Sequence, residues 1–352
     1  MYYKSIKRIV LDYYMTDLQQ IALNIVSKGK GILAADESIG TMTKRLEAIN
    51  VESNAENRLK FREILFSSKG MKDYIGGVIL YDETIKQTTN NGINIPDLIN
   101  SNGSVIGIKV DNGAKSLAGS AEEKVTEGLD GLRERLKEYY KLGARFTKWR
   151  AVYSISNKYP SRLAIKANAH ALARYAALAQ ENNIVPIIEP EVLMDGDHDI
   201  NKCYEVTSEV LKECYEELYL HNMDLKGTIL KPNMILPGSS SLNKSSTEEI
   251  AELTHKCLKE NVPSEVPGIA FLSGGQSEIE ATRNLNAINK INNTNFAITF
   301  SYGRALQQST LKYWAKNQED ISNTQKIFNH RAKMNSLAAL GKWSEDLDSI
   351  KL

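Results

Sequence analysis

ARFTKWRAVYSISNKYPSRLAIKANAHALARYAALAQENNIVPIIEPEV, residues 144–192, decides the fold. It opens on a β-rich apolar run, ARFTKWRAVY (144–153), and closes on another, IVPIIEPEV (184–192). Between them, Pro160 and Ser161 start an Ala- and Leu-rich stretch that reads as a helix over 161–182. The apolarity of both runs is near-continuous rather than alternating, as in strands covered on both faces. Strand, helix, strand in this order implies parallel strands joined by a right-handed crossover.

The same unit recurs in both directions. Toward the N-terminus lie GILAADE (31–37), GGVILYDE (76–83) and VIGIKVD (105–111). Toward the C-terminus lie GTILKPNMI (227–235), GIAFLSGG (268–275) and FAITFSYG (296–303). Helical patterns separate them. Residues 122–142 carry Leu129, Leu132, Leu136 and Tyr139 at spacings of three and four, with Gly143 where a C-cap would stand. Residues 199–221 carry Val206, Val210, Leu211, Cys214 and Leu218, and Ser246 with Glu249 forms a capping-box pattern. A further helix is expected over 276–292. Eight strand–helix units predict an α/β protein built as one closed (β/α)8 barrel with extra N- and C-terminal helices. A doubly wound open sheet is the alternative. The expected organisation is an extension over residues 1–14, the barrel and its helices over 15–342, and a short tail over 343–352.

Composition narrows the function classes. The chain has 352 residues, and its 44 Lys+Arg against 43 Asp+Glu leave a formal charge of +1. That balance asks for neither nucleic acid nor an acidic membrane as partner. No apolar run reaches the length of a membrane span. Cys203, Cys214 and Cys257 are odd in number and fit no zinc or redox spacing, which favours helix packing in a reducing, cytoplasmic compartment. Asp195–Asp199 (DGDHD) imitates a calcium loop but has Ile200 and Val206 where glycine and glutamate are required, so it reads as a polar loop or helix start. The five histidines show no H-E-x-x-H spacing, and no metal is expected.

In such barrels chemistry sits where the strands end. The polar residues there are Asp36, Asp82, Glu83, Lys109, Asp111, Lys148, Arg150, Glu189, Glu191, Lys231, Ser273, Ser301 and Arg304. Three of them are lysines inside or at the end of apolar runs, in GIKV, FTKW and ILKP. Clustered ammonium groups disfavour one another's protonation, and desolvation acts the same way. A neutral amine so obtained can attack a carbonyl, with neighbouring carboxylates moving protons. Spacing does not say which lysine reacts. Ser273-Gly274-Gly275 and Ser301-Tyr302-Gly303-Arg304 each join a strand to a helix, a junction suited to phosphate.

These residues fall in motifs that resemble the class I fructose-bisphosphate aldolases. The motifs are GKGILAADES (29–38), GGVILYDET (76–84), GIKVDNG (107–113), KWR (148–150), VPIIEPEVL (185–193), LKPN (230–233), FLSGGQSE (271–278) and TFSYGRALQ (299–307). They run in order along nearly the whole chain. The resemblance implies a (β/α)8 fold, a sugar bisphosphate substrate, no cofactor and a homotetramer. It implies Lys231 as the Schiff-base nucleophile and Glu189 as the proton carrier. Asp36 and Lys148 would assist cleavage, and Glu191 would support the charge network. Ser273, Gly274, Ser301, Gly303 and Arg304 would serve one phosphate, and Ser38, Arg45 and Lys109 the other end. Arg150 belongs to the same substrate-binding set. Many relatives use a C-terminal tyrosine for enamine proton exchange; here no tyrosine follows Tyr313, so another group or water is expected to do this.

Overall fold

A computed structural model describes residues 17–349; the extension expected over 1–14 lies outside the described residues. Among the described residues ten strands form: β1 Gly31–Ala35, β2 Ile75–Leu80, β3 Val105–Lys109, β4 Ala114–Leu117, β5 Ser120–Thr126, β6 Phe146–Tyr153, β7 Val185–Val192, β8 Ile229–Leu230, β9 Gly268–Phe271 and β10 Ala297–Tyr302. Eight of them close a parallel barrel in the order β1-β10-β9-β8-β7-β6-β3-β2, and β4 and β5 form a separate antiparallel hairpin. The barrel strands match the expected runs, and closure settles the choice against an open sheet.

Two apolar layers hold the barrel. The larger lies between strands and helices, where Leu33, Val78, Trp149, Ile188 and Phe271 pack outward. The smaller fills the lumen with Ile32, Ala34, Ile79, Phe146, Val185, Ile187 and Ile229. A helix over residues 17–25 contributes Leu18, Ala22 and Ile25 to this inner layer. Side chains alternate along a strand. On β6 the parity that puts Phe146 in the lumen also puts Lys148 and Arg150 there. On β7 the parity of Val185 and Ile187 does the same for Glu189 and Glu191. Each strand thus enters apolar and exits charged on one face.

Three expectations need correction. The helix expected over 122–142 is confined to Leu132–Lys141, because β5 occupies its first part. Gly128 and Gly131, at φ of +128° and +65°, break the path between them. The Glu- and Lys-rich stretch imitates a helical surface. Glu123 is in fact buried and accepts hydrogen bonds from Ser161 N (2.7 Å) and Ser120 Oγ (2.8 Å). The run 227–235 keeps only two strand residues. Leu225–Gly227 is a 3-10 turn, and Pro232 has no N–H to give a ladder. Beyond it, Asn233 Oδ1 accepts from Val192 N at 2.9 Å and holds the extended segment in place. Finally, Ser246 accepts from Glu249 N without the reciprocal bond, whereas the complete capping box is Ser277 with Glu280.

Helices Arg162–Glu181 and Ile200–Leu220 match the expected spans, with Ser161 and Asp199 as N-caps. Asp199 is the last residue of the DGDHD stretch, which is indeed a loop and helix start. The three cysteines are free and buried. Among the described residues, no helix is long and apolar enough to cross a membrane.

Gly76 shows how closely the barrel floor is closed. A Cβ there would stand 2.0 Å from the Ile25 carbonyl oxygen, a backbone atom that cannot rotate away. G76A is expected to destabilise the chain by about 3 kcal/mol, read as a lowered urea midpoint. A wild-type midpoint would contradict this packing.

Candidate active site

The C-terminal ends of the strands surround a cavity of about 860 Å³. All fourteen residues expected at the site line it: Asp36, Ser38, Arg45, Lys109, Lys148, Arg150, Glu189, Glu191, Lys231, Ser273, Gly274, Ser301, Gly303 and Arg304. Of the other strand-end residues, Asp82 and Asp111 are in the wall. Glu83 is not; it turns outward to pair with Arg58 and Arg62.

Register explains the convergence. Lys109 of β3 is aligned with Lys148 of β6, and Arg150 of β6 with Glu189 of β7. Lys231 follows β8, with its N–H donating to the Ile188 carbonyl at 2.8 Å, so it stands beside Glu189.

Glu189 is shared between two lysines. Its Oε1 lies 3.2 Å from Lys231 Nζ and its Oε2 lies 3.1 Å from Lys148 Nζ. Lys148 donates a hydrogen bond to Asp36 Oδ2 at 3.0 Å. All four groups are buried or nearly so. Arg150 pairs with Glu191. Lys109 is held by the Asp111 carboxylate at 2.7 Å and the Asp111 carbonyl at 2.8 Å. The deep layer therefore alternates in sign, with Lys109, Lys148, Lys231 and Arg150 among Asp36, Asp111, Glu189 and Glu191.

For Lys148 this alternation corrects the expectation that clustering lowers a lysine's proton affinity. Burial does oppose charge on Lys148, but Asp36, Glu189 and Asp111 overcome it and raise its pKa above the ordinary lysine value. Lys148 is thus kept an ammonium ion. Burial likewise opposes charge on Asp36, yet Lys148, Lys231 and Lys109 lower its pKa to about 2. The lysines are now distinguishable, as they were not by spacing. Lys109 is held by Asp111, and Lys148 lies between two carboxylates. Among the described residues, Lys231 has only its 3.2 Å contact with Glu189. Glu189 Oε2 is engaged by the Lys148 ammonium alone, so Oε1 is the oxygen that faces Lys231.

The rim offers anion sites at two places. Gly303 precedes helix Arg304–Lys316 and gives no side-chain cap, so that helix keeps its first N–H groups open. Arg304 Nη2 donates to the Gly274 carbonyl at 2.8 Å, which joins the two glycine turns. Buried Ser301 Oγ lines the cavity without a hydrogen-bond partner. The Ser273–Gly275 turn differs from the expectation of an open helix end, because the Ser277–Glu280 box caps the helix that follows it. Ser38 caps helix Ile39–Glu47, and Arg45 from its last turn pairs with Glu37; its guanidinium reaches within 3.7 Å of where a Cβ on Gly303 would stand, so Arg45 joins the Gly303 end and not the opposite one as expected.

Sequence reading missed several wall residues. Glu37 accepts from Gln307 Nε2 (3.3 Å) besides Arg45, and buried Arg62 lies 3.8 Å from it. Arg135 and Tyr139 come from the helix that was expected to offer only an apolar face. Tyr139 donates to Asp82 Oδ1 at 2.8 Å; burial and that carboxylate push its phenol up to about 12. A Tyr and an Arg four apart beside Leu132 and Leu136 were the available signal.

Because Asp36 is held below its ordinary value of 3.8, the folded state binds its proton less readily than the unfolded chain. Its contribution to stability is full above that value and is lost as pH falls through about 2. K148M removes the nearest cation while burial remains. The Asp36 carboxyl is then expected to titrate at least about one pH unit higher, followed by carboxyl 13C NMR on the resonance absent from D36N. An unmoved titration would contradict the assigned pairing.

The family model described as "Glycolytic: Fructose-bisphosphate aldolase class-I" matches residues 17–351. A probable fructose-bisphosphate aldolase class 1 of Xylella fastidiosa is 51% identical over 93% of this chain and 98% of its own. The cytosolic fructose-bisphosphate aldolase 4 of Arabidopsis thaliana is 53% identical over 92% of this chain and 83% of its own. Among solved structures, a fructose-bisphosphate aldolase from Plasmodium falciparum, crystallised with TRAP and a small-molecule inhibitor, superposes with a TM-score of 0.93. It shares 44% identity over 94% of this chain and 96% of that one.

Proposed function

The chain belongs to the class I fructose-bisphosphate aldolase family, and from that premise we propose which residue performs each step of its reaction. The enzyme is a metal-independent Schiff-base lyase. It reversibly cleaves fructose 1,6-bisphosphate to dihydroxyacetone phosphate and glyceraldehyde 3-phosphate.

Lys231 is the nucleophile. The observation that carries this is the sharing of Glu189, which leaves Lys231 the least engaged lysine in the cavity. Lys231 passes its proton to Glu189, 3.2 Å away, and the neutral amine attacks the C2 ketone to give a carbinolamine. Glu189, whose Oε1 faces Lys231 at 3.2 Å, relays the proton that lets water leave. The resulting iminium ion is an electron sink. When the C4 hydroxyl gives up its proton to Glu189, the C3–C4 bond breaks and its electron pair flows to the iminium nitrogen. Glyceraldehyde 3-phosphate leaves, and a neutral enamine remains. Protonation of its carbon and hydrolysis of the imine release dihydroxyacetone phosphate.

Asp36, at about 2, is a weak base. It orients the C4 hydroxyl and holds Lys148 rather than carrying the proton. Lys148 remains cationic and stabilises the charge that builds on oxygen during dehydration and cleavage. Glu191 fixes Arg150 against the same wall. Ser273, Gly274, Ser301, Gly303 and Arg304 hold one phosphate at the open helix end, with Arg45 beside Gly303; Ser38 and Lys109 face the other. Binding at both ends fixes the reacting bond between the catalytic groups.

We also propose a homotetramer, supported by the family resemblance, for which light scattering in solution should give four chain masses and a single chain mass would refute it. A cytoplasmic setting is supported by the cytosolic plant relatives and by three free, buried cysteines.

In a coupled assay of fructose 1,6-bisphosphate cleavage, K231M should lose about 10⁴-fold or more in kcat. E189Q should lose about 10²- to 10³-fold, with a smaller change in KM. Exhaustive chelation should leave kcat intact. Full activity in K231M, or a chelator loss restored by a divalent ion, would overturn the assignment.

A further inference from the structure

Helices Arg162–Glu181 and Ile200–Leu220 are joined by a ladder of polar pairs on their outer side. Arg162 Nη2 lies 3.2 Å from Glu213 Oε2, and Lys166 Nζ lies 2.9 Å from Glu213 Oε1. One turn further, His170 Nδ1 lies 3.0 Å from Glu217 Oε2. Basic positions recur every four residues on one helix and face acids spaced by four on the other. The last rung differs in kind. A permanently charged cation is replaced by an imidazole, and a second imidazole joins it. His221, four residues after Glu217, sets its ring 5.4 Å from that of His170.

One ligating atom from each of His170, Glu217 and His221 lies within 4.8 Å of the others. His221 Nδ1 is 2.8 Å from the Glu217 backbone carbonyl oxygen. Donation along that bond selects the tautomer with its lone pair on Nε2, the state in which histidine ligates metals. Lysine and arginine rungs have no lone pair to offer and can only pair their acids. None of the three residues lines the catalytic cavity.

We propose that His170, Glu217 and His221 form a binding site for a divalent transition-metal ion of the Zn2+ class, completed by water on the open side. Two imidazole nitrogens and a carboxylate oxygen suit zinc, nickel or copper and discriminate against Mg2+ and Ca2+, which require oxygen ligands. Tetrahedral ligation at zinc bond lengths places donor atoms about 3.4 Å apart. The side chains must therefore close by up to about 1.4 Å, which the 53% exposed side chain of His170 is free to do. The ion would bridge the helices that follow β6 and β7, the strands that carry Lys148 and Glu189. Its effect is on cohesion of the fold and not on the reaction, since no catalytic group touches it.

The test is calorimetric titration of the metal-stripped full chain with Zn2+. The wild type should give a saturable one-to-one isotherm, weakened about tenfold or more in the H170A/H221A pair and in H170N alone. Mg2+ should not compete. With Zn2+ in excess, the unfolding midpoint of the wild type should rise while that of H170A/H221A stays put, and fructose 1,6-bisphosphate turnover should not change in either. All the substitutions fall on exposed or half-exposed positions, and equal metal-free midpoints would show the fold intact. No saturable binding, or an isotherm unaltered in both H170N and H170A/H221A, overturns the proposal.

Discussion

One carboxylate, Glu189, sits between two buried lysines, and the arrangement of the site depends on that sharing. An isolated buried ammonium ion is costly and would shed its proton. Here Lys148 has two carboxylates, one of them Glu189, and keeps its charge. Lys231 has only the remaining oxygen of Glu189. Two chemically identical side chains thereby acquire different tasks through their neighbours alone. Asp36 closes the set, since the cations that hold it ionised also deprive it of basicity.

The barrel makes this sharing possible by parity and register. On β6 and β7 the residues of one parity fill the lumen with Phe146, Val185 and Ile187 before they present Lys148, Arg150, Glu189 and Glu191. The apolar floor, with Leu18, Ala22 and Ile25 packed into it, gives the charged layer a low-dielectric backing on one side and the open cavity on the other. Interactions among the charges are strengthened there relative to water. At the mouth, the Arg45 guanidinium stands beside Gly303, next to the open N-terminus of helix Arg304–Lys316, so cationic and N–H donors gather at one point of the rim.

The strands were legible because a two-faced buried strand leaves a dense apolar signature, and the lysines and acids that end those runs were legible for the same reason. The β4–β5 hairpin was not. Its Glu- and Lys-rich composition imitates a helix surface, and the burial of Glu123 depends on Ser161, far away in sequence. Nor was the electrostatic outcome legible. The sequence places lysines near one another, but whether like charges or carboxylates dominate depends on which atoms lie within about 3 Å. The His170–Glu217–His221 cluster was hidden similarly, because its members come from two helices whose alignment no spacing rule records.

Reductive trapping identifies which lysine forms the Schiff base. The chain is incubated with fructose 1,6-bisphosphate, reduced with borohydride and digested, and the modified residue is located by mass spectrometry. One stable adduct is expected, on the peptide that contains Lys231, with Lys109 and Lys148 unmodified. An adduct on Lys148, or no adduct under conditions of full turnover, would contradict this.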